Sequence, residues 1–518
     1  MTVPAAPVAH GRRVFRNTLF TGVVGVVSLL ANFFVIGQAV HKLHAGPFGV
    51  LTLALAFSLS AGFLSISDLG LQSGVTRFVA DADGRGQRGR IGETVSSSLA
   101  ILAAAGVVAA AVLLALSVLA SHIFTNVHGA TLQNDLHLLF ILFAVEAFFG
   151  LPALAFLGTL QGLQQYGWIK VIDLSRQILY TVLALIVLFT GQGVVAFGVA
   201  MIAGTLFAAV GYAIAARVLC PDLRISPKLV NRKALQPLAG FSAWVFIARI
   251  LGVVWAQMDT LILSALVGIT VLTGYSVIAR IESAASYPLS LTAAAVVPAA
   301  ANLLALESRT RLRELLIRGT RYTLALSMPV TIAALVLARP LIVAWVGSQY
   351  AGFAGPAQLF LTYQLLSCAS NIALTILIGI GRIKAVTAYV SLAVAVNLVI
   401  SIALAKAGLG VTGVIIGTLV GYGITAPLYI RLILHELDMG LGAFLRGAIA
   451  PVLPWAAIFA GVVALTALLV NPANLVTVAL CCVPASLIYV GGLVRFSMTG
   501  EERMALIGFV LPATKRHT

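Results

Sequence analysis

Charged side chains inside long apolar stretches are the first places to look for chemistry. Glu146, Arg249, Asp259, Arg280 and Glu282 all sit in such stretches. An ionised group at the centre of a bilayer costs roughly 2.5–3.5 kcal/mol on insertion scales, so each must face a water-filled cavity, a partner or an ionic ligand. Arg280 and Glu282 are two positions apart and point to different sides of a helix, so they do not pair with each other. Asp259 and Arg280 lie at matching depths on either side of the turn at 266–271, which suits a structural ion pair. Arg249 has no acidic residue of its own hairpin at its depth. Its planar guanidinium can grip a phosphate anion with two bonds, and a salt bridge to Glu146 or Glu282 is the alternative. Glu146, Asp259 and Glu282 are the acids through which a proton or ion gradient could act.

A second set lies at helix ends or is uncharged. Asp68, Arg77, Asp173 and Arg176 fall at the ends of apolar spans on one side and are candidates for a cytoplasmic gate. Asp173 and Arg176 are three apart and can pair along one helix face. A solvated end or an inter-helix latch is the simpler reading of these four. Asn32, Gln257, Tyr275 and Trp244 can hydrogen-bond or stack on sugars, although amides and aromatics in such helices also serve as packing between them. Nothing points to catalysis. No GxxxxGK[ST] loop is present, the 8 histidines are scattered without HExxH spacing, and the 4 cysteines show neither zinc nor disulfide spacing. No metal, no cofactor and no enzyme are expected. A membrane glycosyltransferase would need a larger extramembrane domain than these loops supply.

The elements that must position these residues follow from composition. Of 518 residues 60% are hydrophobic and 9% charged, against about 45–50% and about 25% in ordinary globular proteins. The mean hydropathy is +1.06. A soluble globular enzyme, a disordered chain and a nucleic-acid-binding domain are excluded. The predicted fold class is all-α: a polytopic membrane protein of about fourteen helices. The first span is Asn17–Val40. The rest run approximately over 46–67, 91–120, 136–158, 171–190, 193–216, 239–265, 271–303, 321–346, 355–379, 385–406, 410–433, 448–470 and 474–496. Lys and Arg crowd the loops on one side, at the N-terminus, 77–90, 170–176, 217–233, 309–321, 382–384, 431–446 and the C-terminus. The opposite loops hold only Lys42 and Lys406. The net charge of +16 therefore reads as a positive-inside signal with both termini cytoplasmic.

The chain also repeats itself. A shift of 225 residues aligns Gly49 with Gly274, Ala54 with Ala279 and Asn32 with Gln257. Later the shift becomes 217 and aligns Gly193-Val194 with Gly410-Val411, Gly204 with Gly421 and Tyr212 with Tyr429. Each half spans six helices, an even number, so the halves share one orientation and are related by an axis along the membrane normal. The expected organisation is an N-terminal lobe at 1–218, a basic cytoplasmic linker at 219–236, a C-terminal lobe at 237–437, and two further helices with a tail at 438–518. The two lobes should enclose a central cavity.

In this order the chain resembles the polysaccharide transporter (oligosaccharide flippase) family of the multidrug/oligosaccharidyl-lipid/polysaccharide (MOP) superfamily. The carriers are Gly46-Pro-Phe-Gly49, Asp68-Leu-Gly-Leu71 with Arg77-Phe-Val, and Gln257-Met-Asp259. Further along come Gly274-Tyr275 with Ala279-Arg280, Gly347-Ser-Gln-Tyr350, Gly379-Ile-Gly-Arg382 and the tail Gly500-Glu-Glu-Arg503. The resemblance implies alternating access and, as cargo, a polyprenyl-diphosphate-linked oligosaccharide moved from the inner to the outer leaflet for surface polysaccharide assembly. It implies a cell inner membrane location, membrane lipids as neighbours and a polysaccharide polymerase machinery as a further partner, with no nucleic acid. On that reading Arg249, Arg280, Asn32, Gln257 and Tyr275 bind substrate. Multidrug and toxin extrusion pumps and lipid II flippases are the alternatives. The first often carry an acid in helix 1, where this chain has only Asn32 and Gln38. The second carry arginines in helices 1 and 2, and here Asn17–Val40 has none.

Overall fold

In the computed structural model the backbone is described for residues 7–497 apart from 61, 69, 222 and 231, and for 500 and 503. Side chains are described from residue 25 onward, save 88, 231–245, 248, 294 and 295. The side chain of Trp244 and residues 501 and 502 of the tail motif lie outside the described residues. The described chain is helical throughout and contains no strand.

Two compact units emerge. The first comprises Met1–Ser276 with Ala405–Val411, and the second Val277–Leu404 with Thr412–Thr518. In the first, α1 (Pro7–Leu43) is followed by the short α2 (Ala45–Leu55), a 3-10 turn at Phe63–Asp68 and α3 (Leu71–Gly84). Long helices then run back and forth: α4 (Arg88–Ile123), α5 (Ala130–Gly162), α6 (Tyr166–Thr190), α7 (Gly193–Leu219) and α8 (Arg232–Leu266). The helix α5 is the hub, packing on α2, α3, α4 and α7. The helix α8 packs on the 3-10 turn and on α3 and α4. Asn126, in the loop before α5, donates to the carbonyls of Ser264 (3.2 Å) and Ala265 (2.6 Å). It thereby satisfies carbonyls that the end of α8 leaves unpaired.

The second unit takes most of α9 (Ile269–Ala305). It continues with α10 (Arg309–Val336), α11 (Ala338–Val346), α12 (Ala354–Gly379), α13 (Ile383–Leu404) and α14 (Gly410–Glu436). After the short α15 (Leu441–Phe444) come α16 (Leu453–Val470) and α17 (Leu475–Gly492). Its core joins Leu324, Leu337 and Cys368 to Phe459 and Tyr489 of the last two helices. One glycine pair that the repeat aligns sits at equivalent tight spots. Gly204 lies against Tyr180 and Arg176 of α6, and Gly421 against Ala393 and Asn397 of α13.

Eleven helices among the described residues are long and apolar enough to cross a membrane, or twelve if one bent pair is a single span. The protein is thus a polytopic all-α membrane protein, and the count falls short of the expected fourteen for identifiable reasons. The span expected at 321–346 bends by 75° between α10 and α11. Pro340 is the cause: it lacks an N–H, and its ring clashes with the carbonyl four residues back, at Val336, where α10 ends. The stretch Ile383–Glu436 counts as one 54-residue element, although Gly408 inside it has φ 87°. The span expected at 46–67 is not one helix. It stops at Leu55, and Ser58, Ser60, Ser65 and Ser67 follow, residues that compete for backbone hydrogen bonds. Within this break a Cβ on Gly62 would collide with the Ala56 carbonyl.

Candidate functional site

The broken second span creates the site. Its irregular backbone at 56–70 is held at two points, each by a charged residue of another helix. At the first, Glu146 of α5 accepts hydrogen bonds from Ser60 Oγ (3.1 Å) and Thr205 Oγ1 (3.3 Å), both on Oε1. Glu146 is 2% exposed, and its Oε2 has no hydrogen bond among the described residues. At the second, Asp68 ends the 3-10 turn and is 0% exposed. Its Oδ1 accepts from the Gly70 N–H (2.8 Å) and its Oδ2 from Arg249 Nη1 (2.6 Å). Gly70 has φ 73°, a conformation suited to glycine, and this lets its N–H turn back to the carboxylate.

Arg249 therefore has an acidic partner, and it is neither Glu146 nor Glu282. Asp68 does end a helical turn, and it is fully buried against α8, as an inter-helix latch rather than a solvated end. The expected Asp173–Arg176 pair along α6 also gives way. Asp173 accepts from Tyr212 Oη of α7 (2.5 Å) and pairs with Lys170 at 3.6 Å. Three apart in sequence is permissive in either direction, and the hydroxyl arriving from α7 decides the rotamer.

Several of these residues line a cavity of about 310 Å³. Its lining includes Ser60 and Ser65 from the broken span, Gln72 from α3, Asp173 and Arg176 from α6, Thr205 and Tyr212 from α7, and Arg249 from α8. Gln72 also donates to Gln161 Oε1 (3.3 Å), which Thr76 approaches at 3.1 Å. Sequence reasoning singles out Arg249, Glu146, Asp173 and Arg176 and pairs some of them, but does not gather them at one site. It missed Ser60, Thr205, Gln72, Gln161 and Lys170. Their signal was polar residues in otherwise apolar spans, too common to single them out.

The remaining candidates lie elsewhere. Asp259 is buried and accepts from the Tyr275 hydroxyl (3.2 Å), so these two meet as neighbours of one hairpin. Gln257 on α8 and Asn32 on α1 are half-buried, and Arg77 on α3 is exposed. In the second unit, Arg280 is exposed and Glu282 half-buried on α9. Among the described residues no cluster of His, Cys, Asp or Glu could hold a metal.

Apolar helices around a cavity lined by polar and charged side chains make a multi-pass membrane protein. The family model for polysaccharide biosynthesis proteins matches residues 14–304, and the chain belongs to that family. Solved structures agree in fold. An inward-facing multidrug resistance MATE transporter of the MOP superfamily is 15% identical, with a TM-score of 0.68, covering 79% of this chain and 94% of its own. The lipid II flippase MurJ in an inward closed conformation is 14% identical, with a TM-score of 0.64, covering 91% and 100%. A MOP superfamily transporter from Pyrococcus furiosus with a binding pocket of reverse polarity is 15% identical, with a TM-score of 0.57, covering 83% of this chain and 94% of its own. A search of the curated proteins finds no match to this chain. The fold is that of MOP superfamily transporters, and the neighbours are named as transporters and a flippase, not enzymes.

Proposed function

We propose that the protein is a flippase that carries a polyprenyl-diphosphate-linked oligosaccharide from the inner to the outer leaflet by alternating access. The observation that carries the reading is membership of the polysaccharide biosynthesis family on a MOP transporter fold. The arginines at the cavity are consistent with it, because a diphosphate is an anion and a cationic drug is not. On this reading the lobes at 1–218 and 237–437 alternate about the substrate in the cell inner membrane. Both termini face the cytoplasm, and a polymerase machinery takes the product. Arg249, Arg280, Asn32, Gln257 and Tyr275 contact substrate. Glu146, Asp259 and Glu282 couple an ion gradient, with Asp259 and Arg280 also forming a structural pair. Asp68, Arg77, Asp173 and Arg176 form the cytoplasmic gate.

The test is transport by purified protein in proteoliposomes offered defined lipid-linked sugars. Flipping of a polyprenyl-diphosphate sugar is the expected result. Movement of a cationic dye with no movement of any lipid-linked sugar would replace the reading by drug extrusion.

A further inference from the structure

The α16–α17 hairpin lies outside the six-helix repeat, and its charges gather at one end. From Met439 to Gly500 the sequence contains no Asp, Glu or Lys, and its only arginines are Arg446 and Arg495. Each lies in one turn of π-helix, Leu445–Ile449 before α16 and Leu493–Ser497 after α17. The two turns are neighbours. Ser497 Oγ donates to the Pro451 carbonyl (2.7 Å), and the Trp455 and Phe496 rings stack at 5.6 Å. The arginine-rich half of α10 meets both turns: Gly447 sits against Ile317, and Arg321 Nη1 donates to the Ser497 carbonyl (3.2 Å). Arg503 caps the second turn, giving Nε to the Val494 carbonyl (3.0 Å) and Nη2 to the Arg495 carbonyl (2.9 Å).

Arg446 and Arg495 are not spent in this way. Both are exposed, and neither forms an ion pair among the described residues. Arg446 gives Nε to the Gly442 carbonyl (3.2 Å), and Arg495 stands 5.9 Å from the Phe496 ring. The acids of this end are matched elsewhere. Asp438 pairs with Arg309 (2.7 Å) and Glu436 with Arg382 (2.8 Å), while Glu314 has Arg318 four residues further along α10. The tail sets Glu501 and Glu502 against Arg503, Lys515 and Arg516, so it does not reverse the sign. Beside the two arginines, Leu441, Leu445 and Phe496 are exposed, Phe496 by 74%. Phe444 and Ala448, on the opposite side of the same stretch, turn into the core. Uncovered apolar side chains next to unpaired guanidinium groups suit neither water nor hydrocarbon. They suit the boundary where acyl chains meet headgroups.

We propose that this foot of the hairpin binds an anionic phospholipid, with Arg446 and Arg495 attracting its headgroup and Leu441, Leu445 and Phe496 lying against its acyl chains. Basic clefts between membrane helices hold such headgroups. The local charge selects anionic over zwitterionic lipid. Phosphatidylcholine carries its own ammonium, which two arginines with no acid between them repel, and phosphatidylglycerol does not. The exposed apolar residues select a lipid over a free anion, which would leave them in water. The site stands on the two helices that the repeat lacks, away from the cavity of the first unit, and does not rest on the flippase reading.

The experiment uses full-length protein purified in detergent. It is titrated with phosphatidylglycerol or with phosphatidylcholine, and bound lipid is counted by native mass spectrometry. The variants are Arg446→Gln/Arg495→Gln and, as a charge-matched control in the first unit, Arg85→Gln/Arg90→Gln. Wild type is expected to prefer phosphatidylglycerol. An arginine at a membrane surface adds about fivefold to the affinity for anionic lipid. The double variant should therefore lose about 25-fold in phosphatidylglycerol binding, and the control should bind as wild type. Arg446→Gln and Arg495→Gln alone should each cost about fivefold, and these decide should the double variant fail to fold. Glycerol phosphate, the headgroup without its chains, should not displace the lipid at equal concentration. The proposal is overturned if wild type binds the two lipids equally, or if folded Gln variants bind phosphatidylglycerol as wild type does. It is also overturned if the control loses as much as the double variant, since net charge and not this foot would then hold the lipid. Displacement by glycerol phosphate would make the patch a free-anion site and overturn the lipid assignment.

Discussion

Replacing Arg249 by alanine strands a carboxylate that water does not reach. Asp68 is 0% exposed, and after the change only the Gly70 N–H compensates its charge. Breaking a buried ion pair by removing one partner costs about 3–5 kcal/mol. The lower end applies here, about 3 kcal/mol, because Arg249 itself is 37% exposed and water can follow into its place. That is about a hundredfold change in the ratio of folded to unfolded protein. Asp68→Asn is milder. It keeps an oxygen for Gly70 and leaves Arg249 facing water, a loss of about 1 kcal/mol. The double variant Asp68→Asn/Arg249→Gln should lose less than the sum of its parts by about 1–2 kcal/mol, as residues in direct contact do. Melting of the purified protein in detergent, with membrane abundance followed in parallel, reads all of these. Arg249→Ala melting with the wild type, or single losses that simply add, would show that the ion pair carries no stability. Any transport defect of Arg249→Ala must accordingly be corrected for abundance, and Arg249→Lys, which keeps the charge opposite Asp68, is the cleaner probe of phosphate contact.

Glu146→Gln keeps an acceptor for Ser60 and Thr205, so abundance should stay within about twofold while gradient-driven transport is lost; wild-type transport by this variant removes Glu146 from coupling. Gly417→Ala should destabilise by about 1–3 kcal/mol, because its new Cβ would overlap Ser401 Oγ and press on Asn397 Oδ1. Gly423→Ala, six residues along the same helix with nothing within 4 Å, should melt at or slightly above the wild type, and equal melting of both variants would contradict the packing described for α13 and α14. Cysteine labelling from the two sides should place 77–90, 217–233 and 309–321 in the cytoplasm and 121–135 outside; an outside position for 217–233 would break the six-helix half.

Class and family were legible in the residues alone. Hydropathy announces a polytopic helical membrane protein because lipid leaves no alternative to helices in so apolar a chain, and motifs such as Gly46-Pro-Phe-Gly49 carried the resemblance that the family match then bore out. Even the close approach at Gly49 has a cause that its sequence could only hint at: a side chain there would collide with the Ile269 carbonyl at the start of α9. The helix interruptions were half legible. Pro340 and the serines around Gly62 are visible as breakers, yet average hydropathy runs straight through them, so 46–67 and 321–346 read as single spans.

What the sequence by itself determined is where charge enters lipid: Glu146, Arg249, Asp259, Arg280 and Glu282 had to be special, because the cost of an ion in hydrocarbon depends on the residue and its span alone. What only the tertiary structure decided is who meets whom. Asp68 and Arg249 are 181 residues apart, and no local spacing rule couples them. Asp173 could pair with Arg176 or Lys170 by helical periodicity, and a tyrosine from α7, 39 residues on, selects between them. Pairing across a helix bundle depends on rotation and depth of each helix, which packing of many small contacts sets together, and so the cavity that gathers Arg176 and Arg249 exists only once the helices have closed around it.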